Sequence, residues 1–205
     1  MSLIKQVTNK PWERKGIIGP LRPEGTFPVP SEMVALTFFL VVVAVIFSLF
    51  TVSYFIRMEL PDWTRRAVPA QLWFNTGLLI ISSVMFQWTR TLLKRGETRN
   101  LKTSLLGGGV FAIAFIGAQL MVWSGLRADG ITMTSNPADS FFYLLTGLHG
   151  LHMLGGLWVW SKSSIKLMSG SAEPKDIKLS VELCTIYWHA LLVVWLVLFG
   201  ILANT

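Results

Sequence analysis

Charge is scarce in this chain. Only 14% of its 205 residues are Asp, Glu, Lys or Arg, against roughly 25% in a soluble globular domain, and that deficit argues against a water-soluble fold. Cysteine is nearly missing: the single Cys184 excludes an internal disulfide and any Cys-x-x-Cys metal or redox site. Proline is excluded from the long apolar stretches. The nine prolines stand at 11, 20, 23, 28, 30, 61, 69, 137 and 174, as continuous membrane helices require, because an interior proline removes a backbone hydrogen bond. Histidine is restricted to His149, His152 and His189. No segment repeats another, and there is no low-complexity tract or second domain.

What is present is apolar sequence in lengths suited to a bilayer. Five runs are readable, at about 33–56, 70–93, 103–126, 140–161 and 180–203. A helix needs about 20 residues to cross the hydrocarbon, so the chain is expected to be all-α, a polytopic bundle of five transmembrane helices. Residues 33–205 form its membrane domain. The first run is full length and is expected to be a span rather than a secretory signal. Residues 1–32 carry five of the prolines among mixed charges and read as an irregular cytoplasmic arm, either a loose tail or a strap laid on a partner subunit.

The net charge of +7 is a topology signal. With five spans, the amino terminus and the second and fourth loops share one side and hold 14 of the 18 lysines and arginines. That bias puts the amino terminus in the cytoplasm and the carboxyl terminus in the periplasm of a bacterial inner membrane. No basic-aromatic groove pattern accompanies the charge, so nucleic acid is not an expected partner. Trp73 and Trp123 at outer ends, with Trp88, Trp158 and Trp160 at inner ends, read as an aromatic belt on both interfaces.

A polar group in hydrocarbon needs a partner or a task. Asn75 and Gln119 read as interhelical hydrogen-bonding residues. In the fourth run, His149 and His152 share a face, with Thr146 beside them. In the fifth, Glu182 and His189 are seven apart and share a face as well. At about 1.5 Å per residue, His152 and His189 lie at similar depth, roughly 12–13 Å from the cytoplasmic ends of their runs. An antiparallel fourth–fifth pair could bring them together, with Gly147, Gly150, Gly155 and Gly156 permitting close contact. Three readings are open on the residues alone: a structural polar seam, a metal or haem site, and a proton path along the Glu–His line.

The motifs Phe50-Thr-Val-Ser-Tyr-Phe-Ile-Arg57, Phe115-Ile-Gly-Ala-Gln119…Trp123, Leu145-Thr-Gly-Leu-His-Gly-Leu-His152 and Glu182…Tyr187-Trp-His…Val193-Val-Trp195 resemble subunit III of the haem–copper oxidases, the cytochrome c oxidase subunit 3 family. The resemblance runs from about residue 47 to 203 and fits the short form, which lacks the leading spans of longer members. It implies an accessory, non-redox subunit of a respiratory terminal oxidase. Such a subunit stabilises the catalytic subunit I, holds phospholipid in a cleft and supports proton-coupled oxygen reduction. Haem and copper would belong to the partner subunits I and II, whose ligand sets need more histidines and cysteines than this chain has. Catalytic, cofactor-binding and metal residues are then expected to be absent here. Thr146, His149, His152, Glu182 and His189 would form a structural seam between the fourth and fifth spans, and lipid would fill clefts between the first two spans and the last three.

The chain also departs from the family. Apolar Val43, Val122 and Leu192 stand where members often carry carboxylates, which weakens a carboxylate-based proton role. A subunit III-like component of a quinol oxidase or of a nitric oxide reductase complex is the alternative parent. A haem-binding electron carrier and an independent transporter or channel are the rival classes.

Overall fold

The computed structural model describes residues 30–64, 67–97, 100–169 and 174–204, without side-chain detail for 174–176. Every regular element among them is helical: α1 (Ser31–Met58), α2 (Gln71–Arg95), α3 (Leu101–Ala128), α4 (Pro137–Ser169) and α5 (Pro174–Asn204). Residues 1–29 of the expected arm lie outside the described set, and α1 starts just inside the arm's assigned end. The helices overrun the apolar runs. Much of the expected basic loop after residue 161 is helix, since α4 continues to Ser169 and α5 begins at Pro174. Hydropathy marks where hydrocarbon ends, whereas a helix continues into water until a breaker stops it.

The breakers are where the sequence puts glycine and proline. Gly96 (φ 72°) and Gly130 (φ 77°) take left-handed conformations just past α2 and α3. The amides of Glu97 and Gly96 bond back to the carbonyls of Leu92 and Leu93, and those of Ile131 and Gly130 to Leu126 and Arg127. Both are Schellman closures, which satisfy the last helical carbonyls and favour glycine. Pro137 and Pro174 open α4 and α5, where their missing N–H costs nothing. Asn136 caps α4 by accepting the Ala138 amide at 3.1 Å, and its own amide reaches the Thr64 carbonyl at 2.8 Å, tying the first loop to the start of α4.

Helices α2, α3, α4 and α5 close into a ring in which each packs on the next and α5 returns to α2. Helix α1 stands outside it and touches α4 and α5. Its seat is one stripe, Val43, Phe47 and Tyr54, and most of its other apolar side chains are exposed. The expected division between the first two spans and the last three is therefore corrected: α2 belongs with the last three, and α1 alone is set apart. Helices α1 and α3 and residues Ile177–Asn204 of α5 are each long and apolar enough to cross a membrane. The lower hydropathy of α2 and α4 comes from the serines, threonines, amides and histidines that they turn toward neighbours.

Close approach is set by glycine. A Cβ on Gly109 would stand 2.0 Å from the Trp160 ring, and one on Gly156 would stand 2.5 Å from Tyr187 and 2.7 Å from Trp188. The Trp160 ring is held in place by its own bond to the Leu105 carbonyl at 2.9 Å. Gly109→Ala and Gly156→Ala are expected to lower stability by about 1–3 kcal/mol through overpacking. Gly117→Ala, whose Cβ would meet nothing within 4 Å, is expected to be neutral or to gain up to about 1 kcal/mol. Thermal unfolding of the three variants checks this ordering.

At the end of α1, Arg57 pairs with Asp62, one of the bonds measuring 2.7 Å. The hydrogen bond from Arg57 holds the exposed Asp62 carboxyl below the usual carboxylate range. A depressed folded pKa means that this clamp is fully present above about pH 4, the unfolded value, and is lost as pH falls through the folded one. An NMR titration should place the Asp62 midpoint below that of a free aspartate and return it upward in Arg57→Gln.

Candidate functional site

The chemistry-bearing side chains fall along the grooves of the ring. The α2/α5 groove is the most heavily bonded. From one end to the other, Trp195 Nε1 donates to Thr76 Oγ1 at 3.0 Å and Trp188 Nε1 to Ser82 Oγ at 2.8 Å, and Thr185 Oγ1, whose proton is shared with the Val181 carbonyl of its own helix at 2.7 Å, lies 3.3 Å from the Phe86 carbonyl. Arg90 then pairs with Glu182 at 2.6 Å. Ser82 passes its own proton to the Gly108 carbonyl at 2.7 Å, and Thr89 meets Ser104 at 2.8 Å, so the same face of α2 also holds α3.

His189 lies in this groove. Its Nε2 is 3.1 Å from Gln87 Oε1, and its Nδ1 is 2.6 Å from Ser83 Oγ. An amide oxygen only accepts, so Nε2 carries the proton and Nδ1 accepts from the serine. Both ring nitrogens are thereby engaged with α2. The expected meeting of His189 and Glu182 with the histidines of α4 is not what the geometry gives: both acidic and imidazole groups turn to α2. The physical reason is that α5 lies between α2 and α4, and its Glu182/His189 face is the α2 face, while Tyr187 occupies the other side and donates to the His152 carbonyl at 2.7 Å.

His152 and His149, though one turn apart, have separate surroundings. His152 Nδ1 bonds the Leu148 carbonyl of its own helix at 2.8 Å, which assigns the proton to Nδ1. Its ring lies 5.6 Å from Phe47 and 6.2 Å from Phe39 of α1. His149 points into the ring of helices. It is fully buried, edge-on to Phe115 at 5.9 Å and tilted against Trp195 at 5.1 Å. Thr146 bonds its own helix at the Phe142 carbonyl and receives the Trp123 N–H at 3.2 Å. Asn75 and Gln119 are bonded to each other at 2.9 Å, joining α2 to α3.

Sequence reasoning missed the tryptophans. Trp73, Trp88 and Trp158 are exposed as a belt would have them, and Lys162 lies over the Trp158 ring at 5.0 Å. Trp123 and Trp160, also assigned to the belt, instead send their N–H groups across α3 and α4, and Trp188 and Trp195 are wholly buried donors. Arg90 was missed as well, having been counted only as a loop charge. Its signal was its height: it lies level with Glu182 once α2 and α5 are known to be neighbours. Of the positions where carboxylates are missing, Val43 and Val122 are buried in the hydrophobic core.

These features define a helical membrane protein whose subunits of structure are stitched by buried hydrogen bonds, with the three histidines in three separate environments. A family profile described as cytochrome c oxidase subunit III matches residues 33–203, and the chain belongs to that family. It is 29% identical over 177 residues to cytochrome c oxidase subunit 3 of Synechocystis sp., covering 82% of this chain and 73% of that protein. It is 28% identical over 137 residues to the probable cytochrome c oxidase subunit 3 of Mycobacterium tuberculosis, covering 67% of this chain and 64% of that protein. It is also similar to the heme-copper oxidase subunit I+III of Aeropyrum pernix, 26% identical over 125 residues, which are 61% of this chain and 15% of that longer one.

The α2/α5 bonds should be measurable. Arg90→Met leaves the half-buried Glu182 carboxylate unpaired, and Glu182→Gln keeps a hydrogen-bonding group without the charge. The first is expected to cost about 1.5–3 kcal/mol and the second less. Unfolding in detergent checks the order, and a double variant that costs no more than Arg90→Met alone would show the two act as one pair.

Proposed function

We propose that this accessory subunit III of a haem–copper oxidase serves its complex mechanically, stabilising the catalytic subunit and carrying no redox centre of its own. The observation that carries the reading is the engagement of two of the three histidines, His189 and His152. His189 spends both ring nitrogens on Ser83 and Gln87, and His152 spends one on a backbone carbonyl. Ligation by His189 would have to break bonds that hold α5 to α2. Thr146, His149, His152, Glu182 and His189 are then structural residues, with Glu182 and His189 turned to α2, Thr146 to α3, the His152 ring to α1 and His149 into the ring interior, rather than along a single α4–α5 seam.

In this reading all five helices cross the inner membrane. The amino terminus is cytoplasmic and the carboxyl terminus periplasmic, in line with the distribution of lysine and arginine. Oxidase subunit I is the main partner and subunit II a further one. The Aeropyrum relative, named as subunits I and III together, supports the first. Haem and copper reside in those partners. Phospholipid acyl chains suit two apolar grooves beside α1. One of about 270 Å³ is lined by Leu36, Phe39, Gly155, Val159 and Tyr187, and another of about 380 Å³ by Ala44, Phe47, Val193, Val197 and Leu198.

Purification in mild detergent is expected to bring an oxidase subunit I with the chain, and a reduced-minus-oxidised spectrum of the separated chain is expected to show no haem band. A haem band on the chain alone, or a chain that never travels with an oxidase, defeats the proposal. His152→Leu and His189→Leu are expected to lower the yield and lifetime of the complex while leaving the initial turnover of freshly assembled complex near normal. Immediate loss of turnover at normal assembly would assign these residues to the reaction instead.

A further inference from the structure

Three side chains from three helices leave polar atoms unpartnered at one level of the ring. His149 of α4 is 0% exposed, and neither ring nitrogen has a hydrogen-bond partner among the described residues. Asn75 of α2 and Gln119 of α3 are 1% and 6% exposed. Their mutual bond uses one atom of each amide and leaves Asn75 Oδ1 and Gln119 Nε2 without a partner among the same residues. Exchanging nitrogen and oxygen in both amides leaves the same count.

The shared level follows from helix register. Antiparallel α3 and α4 meet at Trp123 with Thr146 and again at Gly109 with Trp160. That constant offset sets His149 opposite Leu120, within about 1.5 Å of the height of Gln119. The lateral placement follows from the rings. Phe115, one turn from Gln119 on the same face, is edge-on to His149, and Trp195 lies against His149 while bonding Thr76, the neighbour of Asn75. His149 thus borders the Phe115–Trp195 contact, whose centroids are 4.8 Å apart, and Gln119, with Asn75 bonded to it, stands one turn along α3 from Phe115.

A neutral imidazole presents one donor and one acceptor, and the amide pair leaves one of each kind. Buried polar atoms of folded proteins are almost always satisfied, and a membrane interior gives them no other recourse. None of the three side chains is acidic, so the layer suits a neutral ligand with both donor and acceptor capacity. We propose that it is an internal water site, in which ordered water bonds His149 and bridges it to the Asn75–Gln119 pair, tying α4 to α2 and α3.

A water-resolving density map of the unmodified protein in its complex tests this. The expected result is a peak roughly 2.7–3.2 Å from a His149 ring nitrogen and from one of the two free amide atoms. Ring nitrogens in contact only with carbon, or bonded directly to an amide, overturn it. A double-mutant cycle supplies the second measurement. His149→Phe and Gln119→Leu, each expected to shift the unfolding equilibrium about tenfold, should couple by about fivefold or more, because either one alone removes the bridge. Additivity within about twofold overturns the proposal even if a peak is seen.

Discussion

In hydrocarbon, helices gain little by hiding apolar side chains from one another, because lipid is as apolar as leucine. Cohesion has to come from close packing and from hydrogen bonds that have no water to compete with. The four-helix ring of this protein is built on that constraint. Each of its grooves carries at least one polar crosslink: Trp195–Thr76 and Arg90–Glu182 between α2 and α5, Asn75–Gln119 between α2 and α3, Trp123–Thr146 between α3 and α4, and Tyr187 to the His152 carbonyl between α4 and α5. Tryptophan recurs because it combines a large packing surface with one N–H that must be satisfied when buried.

Glycine supplies the other half of the cohesion. Gly109 and Gly156 stand where the rings of Trp160, Tyr187 and Trp188 press against a neighbouring backbone. The ring lies close because the glycine is there, and the bond from Trp160 to Leu105 forms because the ring lies close. Small residue, large ring and buried donor act as one device. Helix α1 has almost none of it. It rests on the ring through a narrow stripe of Val43, Phe47 and Tyr54, with apolar grooves beside it. It is the part of the fold whose exposed apolar surface most calls for lipid or a partner subunit, in keeping with an accessory role in a larger complex.

The family resemblance was legible because short motifs such as Leu145-Thr-Gly-Leu-His-Gly-Leu-His152 hold their spacing. The positions of the five helices were legible too, since hydropathy and proline exclusion both report the absence of water. Counting rise per residue reads only depth, and the nearest observed link is the bond from Tyr187, two residues before His189, to the His152 carbonyl. Direction around the helix axis was not legible. Runs as uniformly apolar as these carry almost no periodicity to say which face turns inward. Chain order suggested α4 as the partner of α5, and ring closure supplied α2 as a second one. Glu182 therefore found Arg90, and His189 found Ser83 and Gln87, pairings that chain order did not suggest.

By itself the sequence determined the number and order of the helices, the membrane setting and the family, because each depends on local composition or on motif spacing along one segment. Which helix is α5's principal polar partner, which tryptophans point inward and which of the three histidines is enclosed were decided only by tertiary structure. Those outcomes depend on azimuth and on which helices close the ring, and both are properties of the packed bundle that no single segment encodes.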